Sequence, residues 1–135
     1  MTGRELILQT YRHERTSRVP WVPFTGVHAG KLKGYNAREV LTDEEKLFES
    51  LMEVHKLYMP DGMPIVFDLQ LEAEILGCKL LWAENNPPSV MTHPLENDDA
   101  VFCKILGPND KRIPMVMNVC RRMKAAVGDS TALYG

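Results

Sequence analysis

Apolar positions recur at helical spacing in several stretches of the chain, and the first and last of these are clearly bounded. The first follows Thr2-Gly3-Arg4-Glu5, a capping box in which the threonine hydroxyl and the glutamate each satisfy a backbone amide of the other residue. It predicts a helix over residues 3–14. The last covers residues 114–127, with proline in the first turn and Gly128 as the C-cap.

Two further helices are predicted in the middle of the chain. A short one begins after Asn36, with Glu39 three residues on, and a longer one begins at a second capping box, Thr42-Asp43-Glu44-Glu45. The longer helix has an apolar face made of Leu47, Phe48, Leu51, Met52, His55 and Tyr58. Residues 60–62, Pro-Asp-Gly, are typical of a turn and predict its end.

Short apolar runs predict strands. The run at residues 19–24 fits a first strand, although its two prolines each remove a ladder donor. Residues 64–68 are apolar on both sides, as in a parallel sheet covered by helices, and end in Asp68. Residues 130–135 predict the beginning of another strand.

Between these strands lies a hairpin-like excursion. Residues 69–76 predict a short helix that Gly77 stops, residues 78–83 a strand, residues 85–88 a loop, and residues 98–106 a weakly marked helix. Strands that alternate with helices predict an α/β fold with a parallel sheet.

Composition narrows the function classes. A net charge of −2 offers no basic surface for nucleic acid. No apolar run approaches the roughly 20 residues that span a membrane, and no signal peptide is present, so a cytoplasmic protein is expected. The cysteines, Cys78, Cys103 and Cys120, form no CxxC pair, which argues against a disulfide framework or a zinc site within the chain.

Four motifs in register identify a family. They are Arg18–Pro23, His28-Ala29-Gly30, Phe67-Asp68 followed by Glu72–Cys78, and Pro87–Val90. On these motifs the sequence resembles the N-terminal part of the uroporphyrinogen decarboxylase superfamily. That superfamily also contains methylcobamide:coenzyme M methyltransferases and related corrinoid-dependent methyltransferases. The resemblance implies a (β/α)8 TIM barrel, of which residues 1–135 would supply an N-terminal helix and about three strands, breaking off near the third.

Asp68 is the expected catalytic residue. A carboxylate at the C-terminal end of a barrel strand lies at the face where such barrels place their chemistry. The resemblance matches it to the aspartate with which the decarboxylases hold pyrrole NH groups and stabilise a protonated intermediate; alternatively, Asp68 caps the next helix. Glu72 and Glu74 follow closely, and at most one of them would face the pocket. We take Glu72 as the substrate-binding candidate, although such carboxylates are commonly only solvated.

The loop after the first expected strand argues against a tetrapyrrole substrate. Uroporphyrinogen decarboxylases carry Arg-Gln-Ala-Gly-Arg there, and the two arginines bind the carboxylates of the porphyrinogen. This chain has Val27 and Lys31 at those two positions, and lysine lacks the bidentate fork of arginine. His28 and Lys31 are therefore the remaining substrate-binding candidates, with a histidine bonded to local backbone as the alternative for His28.

The resemblance then implies a function for the parent protein. The leading hypothesis is methyl transfer between a corrinoid protein and a thiol or pterin acceptor, with zinc bound by residues outside this chain. The alternatives are a divergent decarboxylase that needs no cofactor, and a non-catalytic piece or one half of a split barrel. An open sheet edge would lead the isolated piece to associate with a C-terminal barrel partner or with itself.

Overall fold

The computed structural model describes residues 1–66, 68–96 and 105–135, and shows a mixed α/β chain. Its helices are α1 (Gly3–Tyr11), α2 (His28–Lys31), α3 (Ala37–Thr42), α4 (Glu44–Tyr58), α5 (Leu71–Ile75) and α6 (Ile113–Val127). Its strands are β1 (Gly62–Pro64), β2 (Lys79–Leu81), β3 (Ser89–Thr92) and β4 (Ala132–Tyr134), and a 3-10 turn covers Pro94–Glu96.

Two strands form the central parallel pair. β1 pairs with β4 in the register Gly62↔Ala132 to Pro64↔Tyr134. The ladder extends one residue further, because the Ile65 N–H donates to the Tyr134 carbonyl over 2.9 Å. The parallel sheet predicted from the alternation of strands and helices is therefore present. The strand expected at residues 64–68 is displaced toward the N-terminus, so Asp68 lies four residues beyond the end of β1.

The strand expected at residues 19–24 does not form. The Asp61 N–H, just before β1, donates to the Trp21 carbonyl over 2.9 Å, and the ring of Phe24 lies 5.8 Å from that of Tyr134 in β4. Pro20 and Pro23 supply no N–H, so a continuous ladder cannot extend along this run. The expectation of about three core strands is thus corrected to two paired strands and one unpaired segment beside β1.

The excursion after β1 is a hairpin that stands apart from this sheet. β2 and β3 pair antiparallel, with an irregularity between Lys79 and Leu80, and together make a separate two-stranded sheet. The helix predicted at 69–76 is present as the shorter α5. The helix expected at 98–106 falls mostly on residues 97–104, which lie outside the described part of the chain.

Local cap chemistry explains where the helices begin and end. The Thr2 capping box is confirmed, but α1 ends at Tyr11 rather than at residue 14. The second capping box is wrong: the hydroxyl of Thr42 donates to the Arg38 carbonyl, and Asp43 caps α4 by accepting from the Lys46 N–H. Met59 follows α4 in the left-handed region, at φ 45°, and so ends the helix.

The core lies between the helices and one face of the parallel pair. α4 and α6 pack together, and the core side chains Val54, Met63, Val119 and Met123 have 0% exposure. α1 packs on the other side, against the sequence that leads into β1. A methyl group on Gly3 would lie 2.5 Å from the Cα of Asp61, so only glycine permits this approach. Within the described residues, no helix is long and apolar enough to cross a membrane.

The cap of α3 supports the first prediction. Asn36 accepts from the Glu39 N–H, and Glu39 accepts from the Asn36 N–H, both over 2.9 Å. Replacing Asn36 by alanine should lower the free energy of unfolding by about 1 kcal/mol, because one helical N–H loses its acceptor. Urea denaturation measures this loss, with Asn85→Ala as the control in an exposed loop. Equal stability of the two variants would contradict the cap assignment.

Candidate functional site

Asp68 lies in a buried ionic cluster beyond the C-terminal end of β1. Its side chain has 0% exposure, and its Oδ2 lies 2.5 Å from Nη1 of Arg112. Its Oδ1 accepts from the Gln70 N–H over 2.9 Å. Asp68 therefore does not cap α5, whose N-cap is Gln70 without a side-chain cap bond; it accepts from the amide of that residue while its other oxygen holds an arginine.

Arg112 connects Asp68 to three other elements: α5, α3 and the β2–β3 hairpin. Its Nε donates to Glu74 of α5 over 2.8 Å, and its Nη1 also donates to the carbonyl of Leu41 in α3 over 3.0 Å. Its guanidinium lies 5.1 Å from the ring centroid of Trp82, next to β2. Nη2 is buried and has no hydrogen-bond partner within the part of the chain that the structure describes. One guanidinium therefore joins the β1–α5 segment, the hairpin, α3 and the start of α6.

The two glutamates of α5 have different surroundings. Glu74 is the one that joins the cluster, with a side-chain exposure of 23%. Glu72 is exposed to solvent. The structure thus brings Asp68 together with Glu74, whereas the sequence analysis placed Glu72 in the site.

The other two candidates lie elsewhere. His28 and Lys31 are both exposed, at the two ends of α2. The Nε2 of His28 is 3.0 Å from the Tyr58 hydroxyl, at the C-terminal end of α4. The Asp68 cluster touches Leu41, just before the N-terminal end of the same helix. Within the described residues, no direct contact joins His28 or Lys31 to Asp68.

A second ion pair, which sequence reasoning did not single out, fixes the segment before β1. Both oxygens of the Asp61 carboxylate accept from Arg18, over 2.5 and 2.7 Å, and Oδ2 also accepts from the Trp21 N–H over 2.7 Å. The hydrogen bonds from Arg18 lower the pKa of Asp61, against the effect of burial and with help from the Trp21 amide. Residue 61 was predicted only as part of a turn, since no local pattern indicated a partner 43 residues away.

Arg112 was also missed. It stands just before α6, where sequence reasoning noted only the proline of the first turn. A buried arginine needs anionic partners, and the nearby carboxylates are 38 and 44 residues away in sequence. Only knowledge of the fold could have joined them.

An apolar groove of about 690 Å³ lies between α1, residues 19–24 and β4. Val19, Phe24 and Tyr11 are exposed there, at 85%, 62% and 79%. Its described lining residues are mainly apolar, with Arg4 as a charged side chain among them.

The described residues do not fit a metal. Among residues 1–66, 68–96 and 105–135, no group of three or more His, Cys, Asp and Glu side chains could hold an ion. Cys78 and Cys120 are free thiols, and Cys103 lies outside the described residues. No chemical step of this part of the chain is therefore assigned to a metal.

Comparisons with known proteins agree with the motifs. The family model described as Uroporphyrinogen decarboxylase (URO-D) matches residues 2–135. No curated protein shows significant similarity to the chain. Among solved structures, a methyltransferase from Methanosarcina mazei is similar, with a TM-score of 0.85 and 22% sequence identity over 98% of this chain. The chain spans 41% of the length of that methyltransferase. A family match over almost every residue leads to one conclusion: the chain belongs to the uroporphyrinogen decarboxylase family.

Proposed function

We propose that this chain is the N-terminal part of a barrel enzyme of the methyltransferase branch of its family. The parent protein would transfer a methyl group between a corrinoid protein and a thiol or pterin acceptor. The zinc and the corrinoid protein that this reaction uses would be bound by polypeptide other than the described residues. Residues 1–135 would form one wall of the pocket.

The ion pair between Asp68 and Arg112 carries the proposal. In the decarboxylase reading, Asp68 must accept pyrrole NH groups and balance the charge of a cationic intermediate. Here the carboxylate has 0% exposure, and an arginine already balances its charge at 2.5 Å. A carboxylate so engaged is a weak acceptor for a further cation. This arrangement speaks against the decarboxylase role of Asp68.

The loop at His28–Lys31 supports the same branch. It lacks the two arginines that would bind the carboxylates of a porphyrinogen. Its helix α2 packs along α4, and the exposed His28 lies 3.0 Å from the Tyr58 hydroxyl, with no contact to Asp68 among the described residues. A tetrapyrrole substrate would need groups that donate to its carboxylates, and the aspartate, in the same pocket. The similarity to a methyltransferase fold adds to this argument.

The apolar groove supports the proposal that the barrel is shared with further polypeptide. β4 pairs with β1 on one side, and in a parallel ladder the backbone groups of Leu133 point away from β1. A further strand could pair there and cover Val19, Phe24 and Tyr11. The neighbour has 59% of its length beyond the part that this chain covers, which is enough for such strands. The partner would be a C-terminal barrel portion, or a second copy of the chain.

An activity measurement tests the proposed reaction. For this measurement an affinity tag is placed before Met1, which is exposed. The tagged protein is then purified under native conditions from the cells that produce it. Equal samples are incubated with methylcobalamin plus a thiol, and with uroporphyrinogen. Loss of the methyl–cobalt bond with methylation of the thiol is expected, without conversion of uroporphyrinogen. The zinc content of the sample is measured in parallel.

Two variants sharpen the result. Asp68→Asn should reduce methyl transfer by about tenfold or more if the cluster shapes the pocket, whereas Glu14→Gln, at an exposed carboxylate beyond α1, should leave it unchanged. Conversion of uroporphyrinogen by the unmodified protein would instead establish the decarboxylase alternative. A sample without either activity would favour a non-catalytic piece.

A further inference from the structure

The direction of the Asp68 carboxylate depends on contacts from outside its own segment. Asp68 lies between β1 and α5, in neither a strand nor a helix. One oxygen is held locally, by the N–H of Gln70 two residues on. The other is held by Arg112, 44 residues later in the chain. A single local hydrogen bond still allows the plane of the carboxylate to rotate. The contact with Arg112 therefore determines the orientation of that plane.

Arg112 is itself held rigidly. Glu74 accepts from Nε, the Leu41 carbonyl accepts from Nη1, and Trp82 stacks against the guanidinium. The side chain is only 11% exposed. A planar guanidinium fixed by several contacts loses little freedom when it binds another acceptor. It therefore presents Nη1 to Asp68 in a single direction.

The two carboxylates that share the charge of Arg112 differ in their exposure to solvent. One cation lies between two carboxylates, and of these Asp68 has 0% exposure while Glu74 has 23%. Solvent can screen the excess negative charge on Glu74 but not that on Asp68. The buried carboxylate therefore depends more on Arg112 than Glu74 does.

We propose that Arg112 is the positioning residue of Asp68 and makes the direction of this carboxylate depend on the hairpin through Trp82. The inference rests on the proposed role of Asp68 as a pocket residue. Arg112 touches no substrate in this account; it acts through the carboxylate that it orients. Trp82 adds a route by which a change in the β2–β3 hairpin reaches the pocket.

Hydrogen exchange of two backbone amides in the whole chain tests this directly. The Gln70 amide reports on the direction of Asp68, and the Ala132 amide, bonded to the Asp61 carbonyl over 2.9 Å, reports on the stability of the sheet. In Arg112→Met, the contact of residue 112 with Oδ2 of Asp68 is lost, so the carboxylate is expected to turn and to hold the Gln70 N–H less often. The Gln70 amide should then exchange roughly tenfold faster relative to Ala132. Arg112→Lys should restore most of the protection, since lysine retains the charge.

Two more variants separate positioning from general stability. Glu72→Gln changes an exposed carboxylate of the same helix, outside the cluster, and should leave the ratio of the Gln70 and Ala132 rates unchanged. Trp82→Leu should raise the Gln70 rate alone, and it carries the test if Arg112→Met does not fold. An unchanged Gln70 rate, or an equal rise at both amides, would overturn the proposal. Because the exchange rates are measured without substrate, their result is independent of the result of the methyl-transfer measurement.

Discussion

Replacing Arg112 by methionine is expected to lower the free energy of unfolding by about 3–5 kcal/mol, measured by urea denaturation at pH 7. The loss arises because Asp68 and Glu74 would remain in a poorly solvated place without their cation, and breaking a buried pair from one side leaves an uncompensated charge. Methionine keeps the apolar stem beside Trp82, so lost packing contributes little. The result would show that the cluster stabilises the fold as well as orienting Asp68.

The matched control is an arginine within α6. Arg121 is exposed, and its side chain donates to Asn118 within the same helix. Arg121→Met should change the stability by no more than about 0.5 kcal/mol, as is usual for a surface substitution. Similar losses in both variants would mean that the effect comes from α6 itself and not from the pair with Asp68.

Replacing Asp61 by alanine is the second large effect, with an expected loss of about 2–3 kcal/mol at pH 7. The carboxylate is 5% exposed and accepts from both terminal nitrogens of Arg18 and from the Trp21 N–H. Hydrogen bonds to charged groups each contribute more than neutral ones. Arg18 is 60% exposed and returns to water after the change, which keeps the loss below that at Arg112. Thermal or urea unfolding measures it.

At acid pH, the difference in the free energy of unfolding between the unmodified protein and Asp61→Ala should disappear. Because Arg18 lowers the pKa of Asp61 below its ordinary value of 3.8, the folded protein prefers the ionised carboxylate. The stabilisation is therefore fully present above about pH 4 and is lost as the pH falls below it, toward the lowered pKa. The gap between the unmodified protein and Asp61→Ala should narrow over that range. Asp129→Ala, at an exposed carboxylate, should show no comparable narrowing; a gap that stays constant to pH 2 would refute the assignment.

Local chemistry explains what could be predicted from the sequence. The cap at Thr2, the short helix after Asn36, the long helix α4 and the terminal strand β4 all follow from patterns a few residues long. The wrong predictions arose where two features within the same few residues favoured different structures. Asp43 displaced Thr42 as a cap because it stands one residue later, in extended backbone, with a carboxylate as the acceptor. The prolines at 20 and 23 outweighed the apolar character of their segment.

The candidate site was less predictable, for a different reason. Asp68 stands out because it ends an apolar run, but its partner Arg112 belongs to another element and carries no motif. Glu74 and Glu72 differ by two positions on one short helix, and only the direction in which α5 faces separates them. His28 was grouped with Asp68 because both follow expected strands, whereas α2 turns back along α4.

The way α1 is seated has a consequence for the newly made chain as it leaves the ribosome. The N–H of Arg4 donates to the carbonyl of Ser130, and Gly3 lies against Asp61, so the first helix rests on residues that are synthesised well after it. The nascent helix therefore exposes Leu6 and Ile7 until residue 130 has emerged from the exit tunnel. Chaperone binding to the helix is expected during that interval, and slower translation of the codons between the helix and residue 130 would prolong its exposure.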